Sequence, residues 1–81
     1  MKIENAHDLD KAIEIDPSLT SAYLNRAYVY QNLGDMDRAL IDYNTVIELD
    51  ETVAAAYSGR ARLYELLEDI DQALLDYGRA I

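Results

Sequence analysis

The sequence repeats itself at an offset of 34 residues, and this period governs how the chain can fold. When residues 20–47 are aligned with residues 54–81 without a gap, thirteen of the twenty-eight positions are identical. A fixed period of this length is typical of a stacked solenoid, in which each unit buries its apolar face against its neighbours. The chain is therefore expected to be a tandem array of one supersecondary unit.

Apolar residues within each unit follow the period of an α-helix. In the first unit Tyr23, Ala27 and Tyr30 lie at i, i+4 and i+7, on one helix face. Between such segments stand turn and capping residues, such as Gly34 for a left-handed helix end and Asp35 for a helix start. These patterns predict five helices, near residues 3–15, 19–33, 36–49, 53–67 and 70–81. We expect an all-α fold in which tandem antiparallel hairpins form a short right-handed α-solenoid.

The seven tyrosines divide into two groups. Six follow the core pattern and are expected to be structural, namely Tyr23, Tyr30, Tyr43, Tyr57, Tyr64 and Tyr77. Tyr28 departs from this pattern, because it lies two residues before Tyr30 and therefore on another face of the helix.

Both units carry the same spaced motif. It reads Tyr23-x2-Arg26-Ala27-x2-Tyr30 then Ala39-x3-Tyr43, and again Tyr57-x2-Arg60-Ala61-x2-Tyr64 then Ala73-x3-Tyr77. This motif resembles the tetratricopeptide repeat, whose signature is W-x2-L-G-x2-Y, then A-x3-F, then P. Glu51 replaces the terminal proline and Glu68 the loop glycine, so the turns depart from the family pattern. The resemblance implies one domain over residues 1–81, made of a leading half-repeat (1–19), a first full repeat (20–53) and a truncated second repeat (54–81).

Arginine stands at the family's usual leucine position in both units, sixteen residues before an aspartate. The two pairs are Arg26 with Asp42 and Arg60 with Asp76. We predict that these ion pairs tie together the two helices of each hairpin. At the protein surface, each pair would contribute about 0–1 kcal/mol.

The composition excludes several classes of function. Sixteen acidic residues against seven basic ones give a net charge of −9, which opposes binding to nucleic acid or to an anionic membrane. This acidity favours a basic partner or serves solubility, and the two readings stay open. No apolar run approaches the roughly 20 residues of a membrane span, and the first ten residues lack a signal-peptide pattern. A cytoplasmic protein is the default expectation, unless a signal belongs to a longer parent chain.

Catalytic and metal-binding patterns are weak. The single histidine, His7, has no thiol to work with because the chain contains no cysteine. The acidic segments 35–37 and 69–71 superficially suggest calcium, yet an EF-hand loop needs glycine at its sixth position and glutamate at its twelfth. Leu40 and Val46 stand there in the first segment, so helix capping explains these acids better. We expect no enzymatic activity, no cofactor and no metal site.

The resemblance implies a binding surface, because the first helices of successive tetratricopeptide repeats line a concave groove that takes a peptide or helix of a partner protein. Carried over by position, the groove residues are Ser21, Leu24, Asn25, Tyr28, Gln31 and Asn32, followed by Ala55, Ser58, Gly59, Arg62, Glu65 and Leu66. Their amides and hydroxyls suit a ligand backbone, while Leu24, Tyr28 and Leu66 offer apolar contact. Ordinary solvated side chains are the alternative interpretation.

The resemblance also bears on which peptides the groove accepts. The chaperone-tail type of groove holds a terminal carboxylate with lysine, asparagine and arginine. Leu24 and Tyr28 stand at the expected lysine and asparagine positions, so we expect a peptide ending in acidic residues to bind weakly. The main hypothesis is an interaction module whose partner, another protein, docks around Asn25, Tyr28 and Arg62.

A self-assembly module is the second hypothesis. The last predicted helix keeps an apolar face made of Ala73, Leu74, Tyr77, Ala80 and Ile81. A neighbouring copy packed on this face would give a homo-oligomer. Because the sequence starts inside a second-type helix and stops at Ile81, we also expect it to be a piece of a longer array.

Overall fold

The computed structural model describes residues 6–81, and over this range the chain is all-helical. Its five helices there are α1 (Ala6–Ile15), α2 (Thr20–Asn32), α3 (Met36–Leu49), α4 (Ala54–Leu66) and α5 (Ile70–Ala80). The predicted all-α class is confirmed, and the ends of α2 to α5 agree with prediction within one residue. The predicted start of the first helix at residue 3 lies outside the described residues, as does the side chain of His7.

Consecutive helices pack as hairpins, with α2 against α3 and α4 against α5. The first-type helices α2 and α4 also touch each other, whereas among the described helices α1, α3 and α5 make no mutual contact. The stack is therefore curved, with α2 and α4 on its concave side. None of the helices in residues 6–81 combines the length and hydropathy that a membrane crossing needs.

Small residues mark the places where helices cross. The buried alanines are Ala22, Ala27, Ala39, Ala56, Ala61 and Ala73. Because alanine has only a methyl side chain, the backbones approach closely at these positions. Larger side chains fill the space between them, and Tyr43 forms a buried cluster with Leu63, Ala27 and Ala39.

Arginine and aspartate join the two helices of each hairpin, as predicted. The Nε and NH2 groups of Arg26 donate to the two carboxylate oxygens of Asp42, both at 2.7 Å. Arg60 donates to Asp76 in the same way, at 2.7 and 2.8 Å. These are not surface pairs, since Asp42 and Asp76 are only 2% and 0% exposed. Removing one partner of a buried pair leaves an uncompensated charge and costs about 3–5 kcal/mol.

Each of these arginines also reaches back to the preceding helix. The NH1 group of Arg26 donates to Asp10 on α1 at 2.7 Å, and that of Arg60 donates to Asn44 on α3 at 2.8 Å. The guanidinium of Arg60 also lies 5.6 Å from the ring centre of Tyr57. One guanidinium therefore links three helices, and hydrogen bonding to the aspartate raises the pKa of each arginine above its ordinary value.

The tyrosines do not all lie in the core. Tyr43 is fully buried, whereas the side chains of Tyr23, Tyr30, Tyr57 and Tyr64 are half-buried. For Tyr77 the predicted structural role is wrong in this respect, because it is 38% exposed. In the described chain α4 packs on the face of α3 that carries Tyr43, but no helix packs on the matching face of α5.

The turns between hairpin helices use a left-handed residue followed by an aspartate cap. Gly34 has φ +81°, and the Asp35 carboxylate accepts from the backbone N–H of Arg38 at 3.3 Å. In the second repeat Glu68 takes the glycine position and keeps φ +64°. A side chain in this conformation is strained because Cβ crowds the backbone.

We predict that Glu68→Gly raises the free energy of unfolding by about 0.5–1 kcal/mol, because relief of the left-handed strain exceeds the added entropy of the unfolded chain. Urea denaturation followed by circular dichroism measures the change. The matched substitution Gly34→Ala should lower stability by a similar amount. A destabilised Glu68→Gly variant would contradict this explanation.

Gly59 on α4 leaves room for the Tyr43 ring. A Cβ added there would lie 2.5 Å from Tyr43 Cε1, and the Tyr43 side chain is fully buried. We predict that Gly59→Ala lowers stability by about 1–3 kcal/mol through overpacking, despite the higher helix propensity of alanine.

Gly78 on α5 supplies the control, because a Cβ added there meets no atom within 4 Å in the described structure. Gly78→Ala should therefore raise the free energy of unfolding by about 0.5–1 kcal/mol, as expected for a helix interior. If Gly59→Ala and Gly78→Ala shift the urea midpoint in the same direction, the close approach of Tyr43 does not determine the effect of an alanine at position 59.

Candidate functional site

An open groove of about 670 Å³ lies on the concave side of the stack, between α2 and α4. Its lining residues are Tyr28, Gln31, Asn32, Ser58, Gly59, Arg62, Leu66 and Tyr77. All but the last belong to the exposed faces of the first-type helices, which the curvature of the stack brings together.

Most of the residues expected in the groove meet there. From the expected set, Tyr28, Gln31, Asn32, Ser58, Gly59, Arg62 and Leu66 line it. Glu65 lies next to it, in a smaller cavity of about 310 Å³ that also contacts Arg62, Leu66 and Tyr77.

The start of α2 lies away from the groove lining. Ser21 and Asn25 are exposed on α2 but do not contact the cavity, and Ala55 on α4 also lies outside its lining. Leu24 is half-buried because it packs against the cluster around Tyr43. The structure therefore brings together the later turns of α2 and the middle of α4.

Tyr43, which is buried beneath the groove, contacts two of the residues that line it. Its hydroxyl donates to Gln31 Oε1 at 2.6 Å, and its ring meets that of Tyr28 edge-on, with 5.9 Å between ring centres. Burial, together with the neighbouring Tyr28, raises the pKa of the Tyr43 phenol well above its ordinary value, so this group stays a neutral donor. The side-chain amide nitrogen of Gln31 has no protein acceptor in the described chain, so it can donate a hydrogen bond to a ligand.

Tyr77 repeats the role of Tyr43 one unit later. Its hydroxyl donates to the carboxylate of Glu65, as Tyr43 donates to Gln31 twelve residues upstream. This hydrogen bond raises the pKa of the Tyr77 phenol. The groove expectation missed Tyr77 because it considered first-type helices alone, although the match of Tyr77 to Tyr43 in the repeat could have indicated it.

Arg62 gives the groove its positive charge. Arg26, Arg38, Arg60 and Arg79 each form a salt bridge with an aspartate. Within the part of the chain that the structure describes, Arg62 forms none, and it is exposed on α4. Its guanidinium is thus available to an anionic group of a ligand.

The groove is lined by groups that can bind a ligand. The Ser58 hydroxyl donates to the backbone oxygen of Ala55 at 3.2 Å, within its own helix. Among the residues described, no three side chains of the metal-ligating types form a cluster. The groove lining presents side-chain amides, a hydroxyl, a guanidinium and two exposed apolar side chains to a ligand.

Comparisons with known proteins agree with this architecture. The model of the tetratricopeptide repeat family matches residues 20–53. The crystal structure of MamA superimposes with a TM-score of 0.89 at 25% sequence identity, covering 93% of this chain and 44% of that one. The chain thus spans less than half the length of MamA. No curated protein matches the sequence.

Tetratricopeptide repeats generally mediate protein–protein interactions and are typically not enzymes. The sequence match and the structural match come from separate comparisons, and they agree with the helical hairpins described above. The resemblance expected from the spaced motif is confirmed: residues 20–53 match the tetratricopeptide repeat family, and the helical hairpins match those of MamA.

Proposed function

We propose that this chain is a protein–protein interaction module that holds a segment of a partner protein in the groove between α2 and α4. The observation that carries this proposal is the meeting of exposed apolar side chains, hydrogen-bonding groups and an unpaired arginine in one cavity of about 670 Å³. A volume in this range accommodates a few side chains of a bound segment.

Tyr28 and Leu66 are the apolar anchors of the proposed site. They are 39% and 55% exposed, and both line the groove. Contact with Tyr43 fixes the ring of Tyr28, so little side-chain freedom is lost when a ligand packs on it. Burying such preorganised aromatic surface is a common source of binding free energy at protein interfaces.

Polar groups along the groove orient the bound segment. The amide nitrogen of Gln31 and the side chains of Asn32 and Ser58 pair with the backbone of a peptide or helix. Arg62 pairs with one carboxylate of the partner, since it has no carboxylate of its own in the described structure. The net charge of the whole chain is −9, which favours basic residues elsewhere in that partner.

Ser21, Leu24 and Asn25 belong to the outer end of the proposed surface. Asn25 lies one helical turn before Tyr28 on α2, and its exposed amide is within reach of a ligand that extends beyond the cavity. We assign the centre of the site to Tyr28 and Arg62, and a supporting role to this outer end.

Peptides selected from a random displayed library against the wild-type chain provide the probe. We predict that Tyr28→Ala and Arg62→Ala each weaken a selected peptide by about tenfold or more, as loss of a central contact requires. Fluorescence anisotropy with a labelled peptide measures the dissociation constants.

Leu49→Ala is the matched control, because Leu49 is exposed on α3 and lies outside the groove lining. This variant should bind the same peptides within about twofold, a difference close to the usual scatter of distant substitutions. Peptides that bind Tyr28→Ala and Arg62→Ala as tightly as the wild type would refute the groove as the binding site.

A further inference from the structure

The groove differs from the rest of this acidic chain because no carboxylate lines it. Over the whole sequence, acidic residues outnumber basic ones by sixteen to seven. Among the groove-lining residues of the described chain, however, none is an aspartate or a glutamate, and Arg62 is the one that carries a charge. Arg62 also lacks a salt bridge within this part of the chain. The groove is therefore a locally positive surface on a negative protein.

Hydrogen-bond donors accompany Arg62. The side chains of Gln31 and Asn32 line the same cavity, and neither amide nitrogen has a protein acceptor within residues 6–81. Burial raises the pKa of the Tyr43 phenol, and Arg62 lies close enough for its charge to oppose that rise. Because the Tyr43 hydroxyl also contacts Gln31, at 2.6 Å, the guanidinium and the Gln31 amide both lie near this hydroxyl. An acceptor bound there would meet donors from α2 and from α4.

Tyr43 determines which atom of the Gln31 amide faces the groove. Its hydroxyl is fully buried, and Gln31 Oε1 is the acceptor that it has in the described structure. If the amide turned over, the hydroxyl proton would lose this acceptor, and a buried donor without a partner is unfavourable. The amide nitrogen is thus the atom left for a ligand, so position 31 presents donors to the groove.

The second repeat presents the opposite chemistry at the equivalent position. Glu65 stands 34 residues after Gln31. It accepts from the Tyr77 hydroxyl as Gln31 accepts from Tyr43. A carboxylate has no hydrogen to donate, and it repels a second carboxylate. An acidic group of a ligand is therefore favoured between Gln31 and Arg62 and disfavoured beside Glu65.

We propose that the groove recognises an aspartate or glutamate side chain within the bound segment, held by the Arg62 guanidinium and the Gln31 amide nitrogen, with Tyr43 as the positioning residue that orients this amide. This recognition rests on the proposed function, since it requires a segment bound in the groove. A carboxylate can accept from a guanidinium and an amide at once, because it has two acceptor oxygens. Charge-assisted hydrogen bonds of this kind are shorter and stronger than neutral ones.

The probes are peptides selected from a random displayed library, restricted to those whose binding Tyr28→Ala weakens. Each is synthesised with its acidic residue as glutamate or as glutamine, and with a free or an amidated C-terminus. The glutamate form should bind at least about tenfold more tightly than the glutamine form with either C-terminus, because only the carboxylate forms charge-assisted bonds with Arg62. Fluorescence anisotropy measures the dissociation constants.

A tyrosine-to-phenylalanine pair separates positioning from stability. Tyr43→Phe keeps the ring but removes the hydroxyl, so the Gln31 amide can turn over. The preference for glutamate over glutamine should fall at least about threefold, because the turned amide offers its oxygen to the carboxylate. Tyr23→Phe is the control, since it removes a hydroxyl that donates to the backbone oxygen of Pro17 at 2.8 Å, outside the groove lining. Here the preference should stay within about twofold of the wild type.

Gln31→Glu gives position 31 the chemistry of the second repeat. The new carboxylate keeps an acceptor for the Tyr43 hydroxyl but replaces the donor with an oxygen. The glutamate peptide should bind at least about tenfold more weakly to this variant, because two carboxylates then face each other. The glutamine peptide should lose less.

Different outcomes contradict different parts of this account. Groove-binding peptides that lack an acidic residue, or that bind equally as glutamate and as glutamine, would overturn the acid recognition and leave the proposed function intact. Binding lost on amidation of the C-terminus but not on the change to glutamine would assign the carboxylate to a chain end instead. Equal weakening of both forms by Tyr43→Phe would show that Tyr43 only supports the fold. If Tyr28→Ala weakens no selected peptide, the groove itself is refuted, and this recognition with it.

Discussion

Two arginines hold the hairpins together from inside the stack rather than across its surface. The guanidinium of Arg26 meets both oxygens of Asp42, and that of Arg60 meets both oxygens of Asp76. A buried carboxylate with no partner would be strongly unfavourable, whereas this two-point geometry satisfies it. The NH1 group of each arginine donates to a residue of the preceding helix. The angle and register of three consecutive helices are thus fixed around each guanidinium.

This fixed register determines the binding surface. With α3 locked to α2, Tyr43 projects to the space beneath α4, where Gly59 leaves room for its ring. Tyr43 then orients Gln31 by a hydrogen bond and Tyr28 by an edge-on contact. The groove therefore rests on side chains that already have a hydrogen-bond or ring partner, which limits the entropy lost when a partner segment binds.

The repeat made much of the fold predictable, because helices that recur at a fixed period must bury equivalent faces. It also predicted the partner of Arg60, since the spacing to Asp76 recurs at Arg26. Burial of these carboxylates could not be predicted, because it depends on how closely three helices pack. The exposure of Tyr77 was missed for a related reason: periodicity shows which face a residue occupies, but not whether another helix covers it. The groove residues were assigned by matching positions to the repeat family, and this placed Asn25 in the groove. On α2 the groove lining begins at Tyr28.

A double-mutant cycle on Arg60 and Asp76 tests the structural account most directly, with Arg60→Met, Asp76→Leu and the double variant compared by urea denaturation. Asp76→Leu should lose about 3–5 kcal/mol or fail to fold, because the Arg60 guanidinium is left without a carboxylate. Arg60→Met should lose less, because Asp76 keeps its 3.0 Å salt bridge with Arg79. The double variant should recover the helical fold and most of the lost stability. Losses that add within about 0.5 kcal/mol would show that the pair acts as two independent residues, and would contradict the account.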